Sequence, residues 1–292
     1  MKSVSSEVRR ARPLLGTFVE ITAQGRDETT LHRAINDAFA AVRQVHDLMS
    51  YHDPESDVSR LNRHGFVQNV TVHPWTWQVL QAAGEFSRQS GGVFDITVAP
   101  ELTRRNYLPP SGYDSDASST WRDVSLGENG RTFFRRRATI DLGGIAKGFA
   151  VDRAVEALVA GGAQSGIVNA GGDLRVFGPE PRLVHIRHAQ DSRAIGGAIM
   201  LRESSLATSA LYGREGDHRQ TGALIDGRTG CPALGPVSVS VYAPDCMTAD
   251  ALTKIVLALR DDARPILDRY RAGAFIFVGD SSFCELRSRQ AT

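Results

Sequence analysis

The sequence predicts an α+β fold, with mixed or antiparallel sheets and flanking helices. Three observations carry that prediction. Strand-like alternation and helical three-and-four periodicity are interspersed along the chain. Several β-rich stretches lie too close together for every connection to be the helical crossover that parallel pairing needs. The composition is that of an ordinary globular protein, with 292 residues, 41% hydrophobic and 23% charged. A chain of that size buries a core without disulfide or metal staples. One domain over residues 1–284 is expected, followed by a disordered tail at 285–292.

The elements follow in order. Residues 13–22 read as an opening strand. Residues 30–49 place Leu31, Ile35, Ala38, Phe39, Val42, Val45 and Met49 on one helical face. Residues 50–62 break that pattern with Pro54 and a run of polar turn formers. A second helix starts at Pro74, a good first-turn residue, and runs to Gly91–Gly92. Residues 103–130, rich in Ser, Asp, Pro and Gly, form the one long loop. Residues 131–140 are strand-like, and Gly143–Gly144 open a helix that Gly161–Gly162 close. Residues 166–169 and 174–177 are short strands around a glycine turn, and 237–243 alternate as a strand. Helices are expected over 249–259 and 262–271, and a buried strand over 274–278.

Charge and cysteine usage exclude several classes. The chain has 34 basic and 33 acidic residues, a formal charge of +1. Backbone binding to nucleic acid wants a strongly basic face, so nucleic acid is not expected as a partner. No stretch approaches the ~18 apolar residues of a membrane span. Cys231, Cys246 and Cys284 form no CxxC pair and no zinc spacing. The first residues carry no apolar signal region, so a cytoplasmic protein is expected from the sequence as given.

Four clusters carry chemistry. In residues 140–154, two glycines at a strand-to-helix junction, free helix N–H groups and Lys147 suit a phosphate or diphosphate, or make only a glycine turn with a solvated lysine. The pattern is neither GxGxxG nor GxxxxGK[ST]. NAGGD at 169–173 is a hairpin turn open enough for a ring or phosphate to reach its backbone. Asp95 and Thr97 share one face of an expected short strand in GGVFDITVAP. Asp250, one helical turn from Thr253 and Lys254, either holds Mg²⁺ through oxygens or pairs with the lysine.

At these residues the chain resembles the FAD:protein FMN transferase (ApbE) family. GTFVEI (16–21), MSYHDPESDVSRLN (49–62), GGVFDITVAP (91–100), IDLGGIAKGFAVD (140–152), NAGGD (169–173), ATSA (207–210), IDGRTG (225–230) and ADALTK (249–254) occur in the family's order. The resemblance implies a T-fold-like flavin transferase architecture that binds FAD and moves its FMN half onto a Thr or Ser hydroxyl of an acceptor protein, releasing AMP. It implies a flavin site at Met49, Asp95, Thr97, Asp141, Lys147, Gly148, Asn169, Gly171, Gly172, Asp173 and Asp226. It implies Mg²⁺ at the Gly144 carbonyl, Asp250 and Thr253. Family members are often exported.

Three positions depart from the family pattern. Its H-I-I-D-P-R-T-G stands here as residues 223–230, with Ala223 for the histidine and Gly227 for the proline. An alanine takes no proton, which leaves Asp250 and His218 as candidate catalytic groups. Lys254 stands where the family has a hydroxyl residue. The alternatives are therefore a catalytically weakened FAD-binding protein and an FAD hydrolase giving FMN and AMP.

Overall fold

The computed structural model describes residues 6–110, 112–187, 195–210, 221–234, 237–278 and 282–287. Eight strands form one sheet whose spatial order follows chain order: Ser6–Leu14, Thr17–Gly25, Ser165–Ala170, Asp173–Phe177, Ser204–Ala210, Val237–Ala243, Gly273–Val278 and Ser282–Leu286. Every neighbouring pair is antiparallel. The sheet is thus an antiparallel meander, and the helices lie in the connections between strands.

One face of the sheet packs on the helices Glu28–Met49, Ala146–Ala160 and Cys246–Leu259. Val19, Ile21 and Ala23 alternate inward toward Ile35, Phe39, Phe149 and Ile255 in the main core. The first helix is started by Asp27, whose carboxylate accepts from the Thr30 N–H at 2.7 Å. Its buried stripe is the predicted one, from Leu31 to Met49. The opposite face of the sheet carries a smaller core of Leu174, Val176, Leu206 and Phe277, covered by Val184, Ile186 and Leu201 of the hairpin Arg182–Arg187 and Ile195–Leu201. Among the described residues, no helix is long and apolar enough to cross a membrane.

Several elements differ from expectation, each for a physical reason. The opening strand is a hairpin, because Leu15 and Gly16 both take positive φ (55° and 70°) and turn the chain within two residues. The polar stretch after Met49 contains the helix Asp57–His64, capped by Ser56 accepting from the Ser59 N–H and anchored by buried Val58 and Leu61. The strand expected over 131–140 ends at Phe134. Beyond it the backbone of Ile140 is satisfied by a side chain: Asn62 Nδ2 donates to Ile140 O at 3.0 Å, and Ile140 N donates to Asn62 Oδ1 at 2.8 Å. The helix expected over 262–271 is a 3₁₀ turn, Arg260–Ala263, followed by Arg264–Arg269 with Pro265 in its first turn. The long loop includes the short strand Val124–Leu126, paired with Arg131–Phe134. The last strand runs on to Leu286, two residues past the expected end of the domain at 284, and buries that side chain.

Candidate active site: a cavity with two lysines

A cavity of about 340 Å³ opens where the helix starts Ala146–Ala160 and Cys246–Leu259 meet the segments 93–98 and 141–144. Val98, Leu102, Tyr107, Leu108, Leu224 and Ile225 give it an apolar wall, and Lys147, Lys254, Asp141, Asp95 and Ser209 give it polar groups. Such a combination, apolar walls with a few convergent polar groups, is what small-molecule sites offer.

The two helices are brought together by a glycine and an aspartate. A Cβ on Gly148 would lie 2.2 Å from Cys246 O and 2.8 Å from Asp250 Cβ, so only glycine permits this approach. The Gly148 N–H donates to Asp250 Oδ2 at 3.0 Å. Asp152, one turn on, accepts from the Cys246 and Met247 N–H groups at 2.9 and 2.8 Å and pairs with Arg175, tying the start of the second helix to the first.

Two ion pairs follow from this packing. Lys147 contacts Asp173, whose side chain is 2% exposed, and Lys254 contacts Asp250, which is 0% exposed. Lys254 Nζ also donates to Asp250 O at 3.0 Å. Burial alone would lower the Lys147 pKa, but the Asp250 and Asp173 charges outweigh it and hold the ammonium above the usual lysine range. Burial pushes the Asp250 carboxyl up, and Lys147 and Lys254 pull it back below the ordinary carboxylate range. Lys147 and Asp250 are therefore charged at neutral pH.

Asp95 is the N-cap of a 3₁₀ turn, Ile96–Val98, rather than part of a strand. Its Oδ1 accepts from Thr97 N and Oγ1 at 2.8 and 2.7 Å, and its Oδ2 from Trp121 N at 3.1 Å. Asp141 holds the Gly143 N–H at 3.1 Å, and its own N–H donates to Ile96 O at 2.8 Å. Desolvation raises both carboxyls.

The predicted site residues divide accordingly. Asp95, Asp141, Gly144, Lys147 and Lys254 stand on the cavity wall, and Asp173 and Asp250 lie beneath the lysines. Met49 is buried in the main core, where the first helix ends. Gly148 is a packing glycine with its N–H spent on Asp250. Thr97 braces Asp95.

Asn169 lines a separate recess with Arg9, Glu20, Arg182 and Leu183, because alternation along its strand turns it away from the helices. Its Oδ1 holds Gly172 N at 3.0 Å and so shapes the turn, in which Gly171 and Gly172 take φ of 66° and 108°. Asp226 is clasped by Arg228 through two side-chain bonds of 3.0 and 2.7 Å. Thr253 is buried; its hydroxyl donates to Asp250 O at 2.7 Å and meets Ser209 Oγ at 2.7 Å. His218 lies outside the described residues.

Gly227 has a local explanation. A Cβ there would lie 2.4 Å from Asp95 Cβ and 2.5 Å from Gly92 O, and its N–H donates to Val93 O at 3.0 Å. Proline would lose that bond and clash. Sequence reasoning missed Ser209 and the apolar wall of Leu102, Tyr107 and Leu108. Ser209 was signalled only by its place in ATSA, and Tyr107 and Leu108 fell in residues read as polar loop.

A model of the ApbE family matches residues 15–276. This chain belongs to the ApbE family. It is 26% identical over 280 residues to an FAD:protein FMN transferase of Vibrio cholerae serotype O1, covering 88% of this chain and 83% of that one. It is 27% identical to the FAD:protein FMN transferase of Treponema pallidum, over 87% of this chain and 79% of the relative. An ApbE protein from Thermotoga maritima superposes with a TM-score of 0.83 at 25% identity, over 97% of each chain. The flavin transferase ApbE of Vibrio cholerae shares the fold, with a TM-score of 0.81 at 24% identity over 99% of each chain.

Proposed function

We propose that this ApbE-family chain is an FAD:protein FMN transferase that takes FAD as substrate and a Thr or Ser hydroxyl of a partner protein as acceptor. The observation that carries the reading is the pairing of an apolar wall with two ammonium groups at a glycine-lined helix start. The wall suits the planar flavin, and Lys147, Lys254 and the Gly143–Gly144 backbone suit the diphosphate.

In the transfer, the acceptor hydroxyl oxygen attacks the phosphorus on the flavin side. The bond from that phosphorus to the bridging oxygen breaks, and AMP leaves with the bridging oxygen and its electron pair. The acceptor gains a phosphoester, and its hydroxyl proton passes to a base. The ammonium groups offset charge on the phosphoryl oxygens and the leaving phosphate. Asp250 is a poor base, because it is fully buried with both oxygens engaged by Gly148 and Lys254. Asp141 stands on the cavity wall with its carboxyl raised by desolvation, and is the better proton acceptor.

The residues present do not fit the divalent ion that the resemblance implies. Mg²⁺ demands about six oxygens in near-octahedral array. Here Asp250 gives one oxygen to Gly148 and the other to Lys254, and the Thr253 hydroxyl is taken up by Asp250 O and Ser209. Among the described residues, no three His, Cys, Asp or Glu side chains converge where a metal ion would sit.

The test is incubation of the protein with FAD, with and without a threonine-containing acceptor. AMP formed only with acceptor, with a matching mass gain on the acceptor, supports transfer. AMP without acceptor means hydrolysis, and intact bound FAD means a binding protein.

A further inference from the structure

We propose that the Lys254 ammonium is this chain's built-in cation for the substrate diphosphate, so that FAD is bound without any divalent ion. The inference rests on the FAD reading above and concerns what neutralises the diphosphate.

Three observations carry it. First, Lys254 is anchored where it stands. Its side chain is 16% exposed, its Nζ contacts Asp250 Oδ1, and it donates to Asp250 O at 3.0 Å. Its stem passes Gly144, with Cε 3.6 Å from where a Gly144 Cβ would be. The ammonium therefore sits between the carboxylate and the glycine turn, on the cavity wall. Second, an ammonium has three donors. Two are spent on Asp250, which leaves one for a phosphate oxygen in the cavity. Third, the oxygens that would replace it around a metal are committed elsewhere. Asp250 Oδ2 accepts from Gly148 N, and Thr253 Oγ1 bonds to Asp250 O and Ser209.

Charge bookkeeping agrees. Lys147 and Lys254 pair with Asp173 and Asp250, leaving a pre-ordered array whose two cations face the cavity. A divalent ion at Asp250 Oδ1 would meet the ammonium at contact distance. Like charges that close repel strongly in a buried setting. Expelling the lysine to make room would cost its pair with a fully buried carboxylate.

The test is FAD titration, followed by flavin fluorescence, in EDTA and in MgCl₂, for wild type, Lys254→Thr and Lys254→Met, with circular dichroism to establish folding. A second readout is Mn²⁺ binding in the presence of FAD, followed by electron paramagnetic resonance. The expected result is wild-type affinity in EDTA within about threefold of that in MgCl₂. Lys254→Thr should lose about tenfold or more in EDTA, recover with MgCl₂, and bind Mn²⁺ where wild type does not. Lys254→Met should lose affinity and not recover.

Wild-type binding that weakens about tenfold or more in EDTA, or tight Mn²⁺ binding by wild type, overturns the proposal. If a variant fails to fold, the wild-type comparison and its Mn²⁺ spectrum decide alone. FAD bound without metal but never cleaved in the presence of acceptors sinks the transferase reading and leaves this inference standing. No FAD binding under either condition sinks both.

Discussion

Replacing Asn62 by alanine tests how the site's floor is built. Asn62 lies on the helix Asp57–His64, and its amide makes both hydrogen bonds to the backbone of fully buried Ile140. Asn62→Ala leaves one buried N–H and one buried C=O without partners. Each orphan costs about 1–3 kcal/mol, and part is recovered if water enters the space left by the amide. The expected loss is roughly 3 kcal/mol. For a chain of this size, each kcal/mol lowers Tm by about 1.5–2 °C, which gives a drop of about 5 °C.

The effect should reach function, because Ile140 directly precedes Asp141 and the N–H of Asp141 donates to Ile96 O. A loosened Ile140 displaces a carboxylate on the cavity wall, so FAD affinity should fall together with Tm. Calorimetry and FAD titration on the same preparations read both. A Tm change under about 2 °C with unchanged FAD binding would refute the reasoning, since two buried orphans cannot cost so little.

Other substitutions separate packing from chemistry. Gly148→Ala drives a Cβ into Cys246 O and should cost about 1–3 kcal/mol or more while weakening FAD binding, checked by chemical denaturation and titration; wild-type stability would mean the helices are not in close contact. Lys147→Met should reduce FAD affinity by about tenfold or more and also destabilise, because Asp173 is then buried unpaired; FMN, which lacks the diphosphate, should be far less affected. If Asp141 is the base, turnover is lost as pH falls through its carboxyl pKa, raised above the usual carboxylate range by burial, and Asp141→Asn should abolish that limb of the pH–rate profile; an unchanged limb in the variant assigns the proton to another group. Gly227→Pro should lower stability, since the ring meets Asp95 and Gly92 and the bond to Val93 O is lost; equal Tm values would contradict the packing described.

What was legible in the sequence was local. The first helix was readable because its apolar stripe repeats every three to four residues. The Asp250–Lys254 pair was readable because residues four apart on a helix are neighbours. The Lys147–Asp173 pair was not, because it joins groups 26 residues apart that only the hairpin Ser165–Ala170 and Asp173–Phe177 brings together.

The segment after Phe134 was read as the continuation of a strand. Its backbone partner is a side chain 78 residues earlier, which no local pattern announces. Asp95 and Thr97 share a face in a strand reading, yet the same two residues make a capping turn through their own side chains. Asn169 and Met49 belong to motifs that the resemblance placed at the flavin, but point elsewhere, one to the far face of the sheet and one into the core. Resemblance carried the motifs, and only the fold decided which of their side chains reach the cavity.

The central claim, FMN transfer from FAD to a protein hydroxyl, is tested most directly by mass spectrometry of a threonine-containing acceptor incubated with the protein and FAD. The account predicts that the acceptor gains the mass of FMN less water on a single hydroxyl, with AMP released in equal amount. An acceptor left unmodified while AMP accumulates, or FAD that stays intact, would contradict it.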